Sequence, residues 1–255
     1  MAEARVGISG WRYAPWRGDF YPTGLAQKRE LEFASRRMAT IEINGSFYSL
    51  QRESSWASWY ATVPDDFVFS VKGGRYITHM LRMKNAGQAV ERFFAQGVFA
   101  LGDKLGPILW QLPERVTFEA ETVDAFLALL PRHTPDGHLL RHAMEVRSST
   151  FVTPEFFRVL DEHGVASVIA DTAGTWPLIE HVTGDLVYVR LHGDTELYAS
   201  GYTDEALDAW ATRCLGWLTE GRDVFVYFDN DIKVRAPYDA MALAERIRRS
   251  STRSG

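Results

Sequence analysis

A single cysteine, Cys214, stands in the whole chain, so neither a disulfide framework nor a cysteine metal cluster can be built from it. No apolar run approaches the roughly twenty residues of a membrane span, and the N-terminus lacks a basic stretch leading into an apolar one. Both absences point to a cytoplasmic protein in a reducing setting, with no membrane partner. Charge of one sign is also scarce. Lys and Arg number 28 against 33 Asp and Glu, a formal net charge of -5, without the basic excess of a protein that wraps duplex nucleic acid. No G-x-G-x-x-G follows the first apolar run and no G-x-x-x-x-G-K-[ST] occurs, which removes the common nucleotide-binding loops. Linkers, repeats and low-complexity tracts are missing too. The chain, 255 residues and 46% hydrophobic, is therefore read as one domain over 1–255, with the Ser/Arg-rich end, 249–255, as a frayed tail.

What is present is a period of two. In Leu186 to Gly193, LVYVRLHG, the residues Val187, Val189 and Leu191 alternate with Tyr188, Arg190 and His192, which reads as a strand carrying two faces. A guanidinium inside an apolar run is costly unless an anion meets it. Seven further strands are expected: Arg5–Ser9, Thr40–Asn44, Phe67–Lys72, Gly106–Leu112, His142–Arg147, Val168–Asp171 and Asp223–Asp229. Helices are expected over Leu25–Met38, Glu53–Tyr60, Ala86–Asp103, Glu119–Leu130, Asp204–Thr219 and about Ala236–Arg248. Another starts at Pro154 behind a Thr153 cap, while Thr172–Gly184 has room for only a short one. Eight strands alternating with helices predict an α/β fold of one kind, a single (β/α)8 TIM-type barrel with a parallel closed sheet.

Polar residues gather at the C-terminal ends of these strands, where barrels of this kind hold their sites. In order they are Glu42 and Asn44, Lys72, Gln111, Glu145 and Arg147, Asp171, Arg190 and His192, then Asp229 and Asn230. Arg190, Arg147 and Lys72 suit a phosphate or carboxylate, because arginine grips such groups bidentately. That favours a small anionic ligand as the partner over a metal, and no cofactor is implied. His192, aided by Glu145 or Asp171, is the candidate proton carrier. Asn44, Tyr48 and Gln111 would orient polar groups, with Glu42 beside them. The aromatic loop from Trp11 to Tyr21 would cover the site. His133, His138 and His142 straddle Pro135 and Gly137 and are not read as a metal site, and His79 is read as an ordinary loop histidine. Two other functions remain open from the residues alone. One is a glycoside hydrolase using Glu42 and Glu145, which needs one of the two acids to hold its proton. The other is a non-catalytic nucleic-acid-associated protein whose polar ring is structural.

Seven stretches in order resemble the YecE-like family, domain of unknown function 72. They are GISGWRYAPWRGDFYP from Gly7, EINGSFY from Glu42, FSVKGGRYITH from Phe69, ILWQLPERVTF from Ile108, EVRSSTF from Glu145, YVRLHG from Tyr188 and YFDNDIKVRAPYDA from Tyr227. The resemblance implies a TIM-type barrel with a pocket at the strand C-termini and carries no settled activity. Asp229 departs from the family pattern, which more often reads Phe-Asn-Asn there, and it adds a negative charge at the mouth.

Overall fold

The alternation in the sequence is resolved by a sheet with two dry faces. In the computed structural model, which describes residues 2–253, eight parallel strands close on themselves in sequence order. They are β1 Ala4–Ser9, β2 Thr40–Ile43, β3 Val68–Lys72, β4 Leu105–Gln111, β5 His142–Glu145, β6 Ala166–Asp171, β7 Leu186–Leu191 and β8 Asp223–Phe228. Closure comes from β1 pairing with β8, with Gly7 opposite Tyr227 and Ile8 opposite Phe228. One parity of each strand faces the helices, where Ile8, Ile41, Val71, Ile108, Val189 and Val226 join the large outer core. The other parity fills the barrel with Leu109, Ala143, Val168, Leu186, Tyr188, Phe225 and Tyr227.

The helices are α1 Glu30–Ser35, α2 Gly45–Tyr48, α3 Glu53–Thr62, α4 Gly87–Ala95, α5 Ala120–Ala128, α6 Pro154–His163, α7 Asp204–Thr219 and α8 Ala236–Arg253. Thr153 and Thr203 cap α6 and α7 through their hydroxyls, which accept from the amides of Phe156 and Ala206. Three expected helices differ. The stretch read as Leu25–Met38 shortens to α1 behind a 3-10 turn at Gln27–Arg29. Ala86–Asp103 breaks in two at Gly97, whose φ of 100° no other residue adopts easily, and resumes as a 3-10 segment at Val98–Lys104. Between β6 and β7 the described chain has no helix; Thr172 and Thr183 hold that connection by bonds to Trp176 and to Val165 and Ser167. The last helix continues past Arg248 to Arg253, and positions 254 and 255 of the expected tail lie outside the described residues. Among the described residues no helix is long and apolar enough to cross a membrane.

Candidate functional site at the barrel mouth

The barrel interior is layered along its axis. Phe225 and Leu186 form an apolar level. Above it Tyr188 and Tyr227 turn their hydroxyls to Ser70 (2.7 Å) and Thr40 (2.8 Å). Burial pushes both phenols up, so they act as neutral donors and acceptors. Tyr188 donates upward to Glu42 Oε2 at 2.7 Å, and this bond ties the hydroxyl layer to an ionic one.

Arg190 is the centre of that ionic layer, and its side chain is wholly buried. Its Nε and Nη2 donate to the two oxygens of Glu42 at 3.1 and 2.9 Å. Nη1 donates to Glu145 Oε2 at 2.7 Å, and Nη2 reaches Asp229 Oδ2 at 2.9 Å and Ser9 Oγ at 3.1 Å. Nη1 also meets His192 Nε2 at 3.3 Å. A guanidinium has five N–H groups, and every one is engaged. Burial alone would discharge it, but Glu42, Glu145 and Asp229 outweigh burial and hold Arg190 protonated well above its ordinary range. The expectation that Arg190 grips an external anion therefore does not hold: its anions are the protein's own.

The same pairing fixes the acids. Burial favours the protonated form of Glu145, yet Arg190 and then Arg147 overcome it and hold the carboxyl well below its usual value. Asp229 is held low in the same way, against burial, by Arg190 and His192. A general acid must keep its proton at working pH, and Glu145 does not, which removes it as the acid of a glycosidase pair with Glu42. His192 is fully buried, with Nδ1 3.1 Å from Asp229 Oδ2. Since a guanidinium only donates, Nε2 accepts from Arg190, which leaves the ring proton on Nδ1, near Asp229 but without a hydrogen bond that meets normal geometry. His192 orients the network and has no face open to a ligand. Among the described residues no group of three His, Cys, Asp or Glu side chains is arranged to hold a metal.

Asp171 lies on the other parity of β6 from Val168 and Ala170, so it is not in the ring. Its carboxylate takes a bond from the Tyr202 hydroxyl at 3.1 Å, and burial raises its affinity for protons. Asn230 also turns away, to Ser200 and Asp239. Tyr21 is buried beneath the first loop, where its hydroxyl donates to the Trp11 carbonyl at 2.6 Å; it supports the loop and lines nothing. Gln111 is buried and donates to the Leu112 carbonyl.

Two cations at the rim are placed differently from Arg190. Arg147 gives its Nε to Glu145 Oε1 at 3.0 Å and lies 3.8 Å from the Trp176 ring. Nη2 makes only a long bond, 3.4 Å, to Tyr198. Its plane is held from two sides, and the outer N–H edge is left over. Lys72, 9% exposed, rests its amine 4.6 Å from the Phe47 ring centre and makes no hydrogen bond or ion pair among the described residues. Burial, and after it Arg190, pull this amine down to about 8.

A residue not marked from the sequence joins them. After β3, Gly73 and Gly74 lead into a π-helical turn, Tyr76–Met80, which sets the His79 ring 5.1 Å from Phe47. Burial, and then Lys72, Arg147, Arg115 and Arg75, bring this histidine down to about 4, so it is neutral at physiological pH. Single π turns often sit at functional sites, but a period-based reading has no signal for one.

Next to the ionic layer lies a cavity of about 320 Å³ lined by Trp11, Tyr13, Asn44, Tyr48, Gln51 and Trp59, among others. Asn44 connects the two: its Nδ2 donates to Ser9 Oγ at 2.9 Å, and its buried Oδ1 has no partner. Tyr48, 69% exposed, packs edge-on against Phe47 at 5.0 Å. Trp11 and Tyr13 are the members of the expected aromatic cover that face this space, and Tyr48, expected to orient polar groups, lines it as well.

Comparison with known proteins agrees with this architecture. The family described as "Protein of unknown function DUF72" matches residues 5–254. A Bacillus subtilis protein named UPF0759 protein YunF is 23% identical over 89% of this chain and 88% of its own length. The crystal structure of a DUF72 family protein from Thermotoga maritima superposes with a TM-score of 0.83 at 24% identity, covering 96% of this chain and 99% of that one. One from Enterococcus faecalis superposes with a TM-score of 0.80 at 18% identity, covering 96% and 95%. At these identities the likeness is one of fold.

Proposed function

The chain belongs to the DUF72 family of TIM-barrel proteins, and from that premise we propose that it binds a small carboxylate- or phosphate-bearing molecule at the barrel mouth. The observation that carries this reading is Lys72. In a site where Arg190 has spent every donor on internal carboxylates, Lys72 is a nearly buried cation that lies in the field of Glu42, Glu145 and Asp229 yet makes no hydrogen bond or ion pair among the described residues. An anionic group from outside supplies the contact partner it lacks. Arg147 offers the second contact. Its guanidinium is oriented by Glu145 and Trp176, and the terminal N–H groups not given to Tyr198 are offered to an oxyanion. The Arg190 network serves as a rigid floor and not as the grip. The neighbouring cavity of Trp11, Tyr48 and Trp59 takes the uncharged remainder of the ligand, and the free oxygen of Asn44 accepts one donor from it.

The test is calorimetry with inorganic phosphate and a panel of small carboxylates and phosphate esters. Arg147→Ala should weaken any binder about 10- to 100-fold, the worth of a charged hydrogen bond lost, without lowering the melting temperature by more than a few degrees. Equal affinity in wild type and variant overturns the reading.

A further inference from the structure

The chain has five lysines, and Lys72 is unlike the other four. Lys84 pairs with Glu119 and Lys233 with Glu196. Lys104 is buried but donates to the carbonyls of Tyr60 and Val63, both at 3.0 Å. Lys28 is exposed. Lys72 alone is nearly buried with its amine in no hydrogen bond or ion pair among the described residues. It stands at the C-terminal end of β3, inside the barrel, against an aromatic ring and opposite a guanidinium that has no donor to spare. A lysine in such surroundings becomes a nucleophile, because dehydration and a neighbouring cation both favour the free amine. His79 packs against the same Phe47 ring and is uncharged.

We infer that Lys72 is a Schiff-base lysine, and that the anionic ligand of the mouth also carries an aldehyde or ketone carbonyl, as in a 2-oxo acid or a phosphorylated aldose or ketose. The inference rests on the anion-binding reading given above and adds the reacting group to it. The free amine attacks the carbonyl carbon to give a carbinolamine. The carbonyl oxygen then leaves as water with the two amine protons, and a C=N bond joins Lys72 Nζ to the ligand. No oxidant, metal or further reactant is required. Arg147 holds the anionic end.

The experiment is reductive trapping. The full-length protein is incubated near pH 7.5 with pyruvate, with glycolaldehyde phosphate, or with neutral glycolaldehyde, and sodium cyanoborohydride is added. The products are mapped by peptide mass spectrometry, and binding of pyruvate and inorganic phosphate is read in parallel by thermal shift. The expected result is a stable adduct at Lys72 formed at least about tenfold faster than at Lys28, Lys84 or Lys233, from an amine more acidic than an ordinary lysine. Lys72→Arg and Lys72→Met should both abolish it, and Arg147→Ala should slow the anionic reagents more than glycolaldehyde. Labelling spread over the exposed lysines with no preference for Lys72 overturns the inference. If the anions raise the melting temperature and no Lys72 adduct forms, the imine fails and the anion site stands. If glycolaldehyde labels Lys72 while no anion binds, the amine assignment stands and the anion site fails.

Discussion

Replacing Arg190 with methionine removes the one cation that three carboxylates share and keeps much of the side-chain volume. Glu42 and Glu145 are fully buried and cannot turn to water, while Asp229 is partly exposed. Breaking a buried ion pair by deleting one partner costs about 3–5 kcal/mol. In a chain of this size each kcal/mol moves the melting temperature by roughly 2–4 °C, so a fall of about 6–20 °C is expected at pH 7. The sign of the pH dependence is a second, independent check. In the wild type the pKa values of Glu145 and Asp229 are depressed, so they contribute stability above the unfolded carboxyl value, and that contribution is lost as pH falls through the folded values. In Arg190→Met, burial acts with less opposition and both values rise. The variant should therefore be worst at neutral pH and recover relative to the wild type as the pH drops towards 5 and below. Calorimetric melting of both proteins from pH 4.5 to 8 measures this. A fall under 2 °C at pH 7, or a deficit that does not shrink in acid, would refute the view that Arg190 is saturated by its own carboxylates.

Three further outcomes are expected. Gly7→Ala places a Cβ 1.8 Å from the carbonyl oxygen of Thr40, its partner across β1 and β2; because backbone cannot step aside, the loss should be about 3 kcal/mol or more, seen as a melting point lowered by more than about 6 °C. Cys214 is buried in α7 with its thiol pushed up to about 12 by burial, so a thiol reagent at pH 8 should label it only in urea, and rapid labelling of the native protein would contradict that packing. Anion binding at the mouth should weaken as pH rises through about 8, where Lys72 loses its proton. The amine faces Arg190, Glu42, Glu145 and Asp229; Arg190 is held protonated and Glu145 and Asp229 are held ionised across that range, so a flat affinity from pH 6.5 to 9.5 measured by calorimetry would remove Lys72 from the contact.

The strands were legible because burial on both faces leaves short β-rich runs bounded by Gly, Pro and charge, and each of the eight was found within two residues at either end. The caps at Thr153 and Thr203 are local chemistry and were equally readable. Within the site, the parity of β7 correctly grouped Tyr188, Arg190 and His192 on the inner face. Asp171 shows the limit of reading strand ends alone. It is last in its strand and polar, but the inner parity of β6 runs through Ala166, Val168 and Ala170. Tyr21 and Trp11 could not be told apart, since an aromatic loop has no period to say which ring faces a cavity. The saturation of Arg190 was hidden for a different reason. It depends on Glu42, Glu145 and Asp229 meeting at one height in the barrel, which is set by the register of strands far apart in sequence.

On the proposed reading, that register also lets the mouth take an anion without being strongly positive. Glu42, Glu145 and Asp229 against Arg190 and Arg147 leave one negative charge, and a protonated Lys72 cancels it. Net charge therefore does not draw a ligand in; position does. The carboxylates point at Arg190, below and towards the axis, and their field is spent there. Arg147 has an outward edge that no carboxylate occupies, and the Lys72 amine stands on a ring and not on an acid. An oxyanion that reaches the rim meets these two cations first and finds the negative groups already neutralised by bonds of 2.7 to 3.1 Å. Were Arg190 lost, the same three carboxylates would face the rim uncompensated and repel the ligand. If the mouth binds an anion as proposed, the buried arginine governs its affinity without touching it, and Arg190→Lys, with a point charge in place of a fork, should lower both stability and anion affinity together.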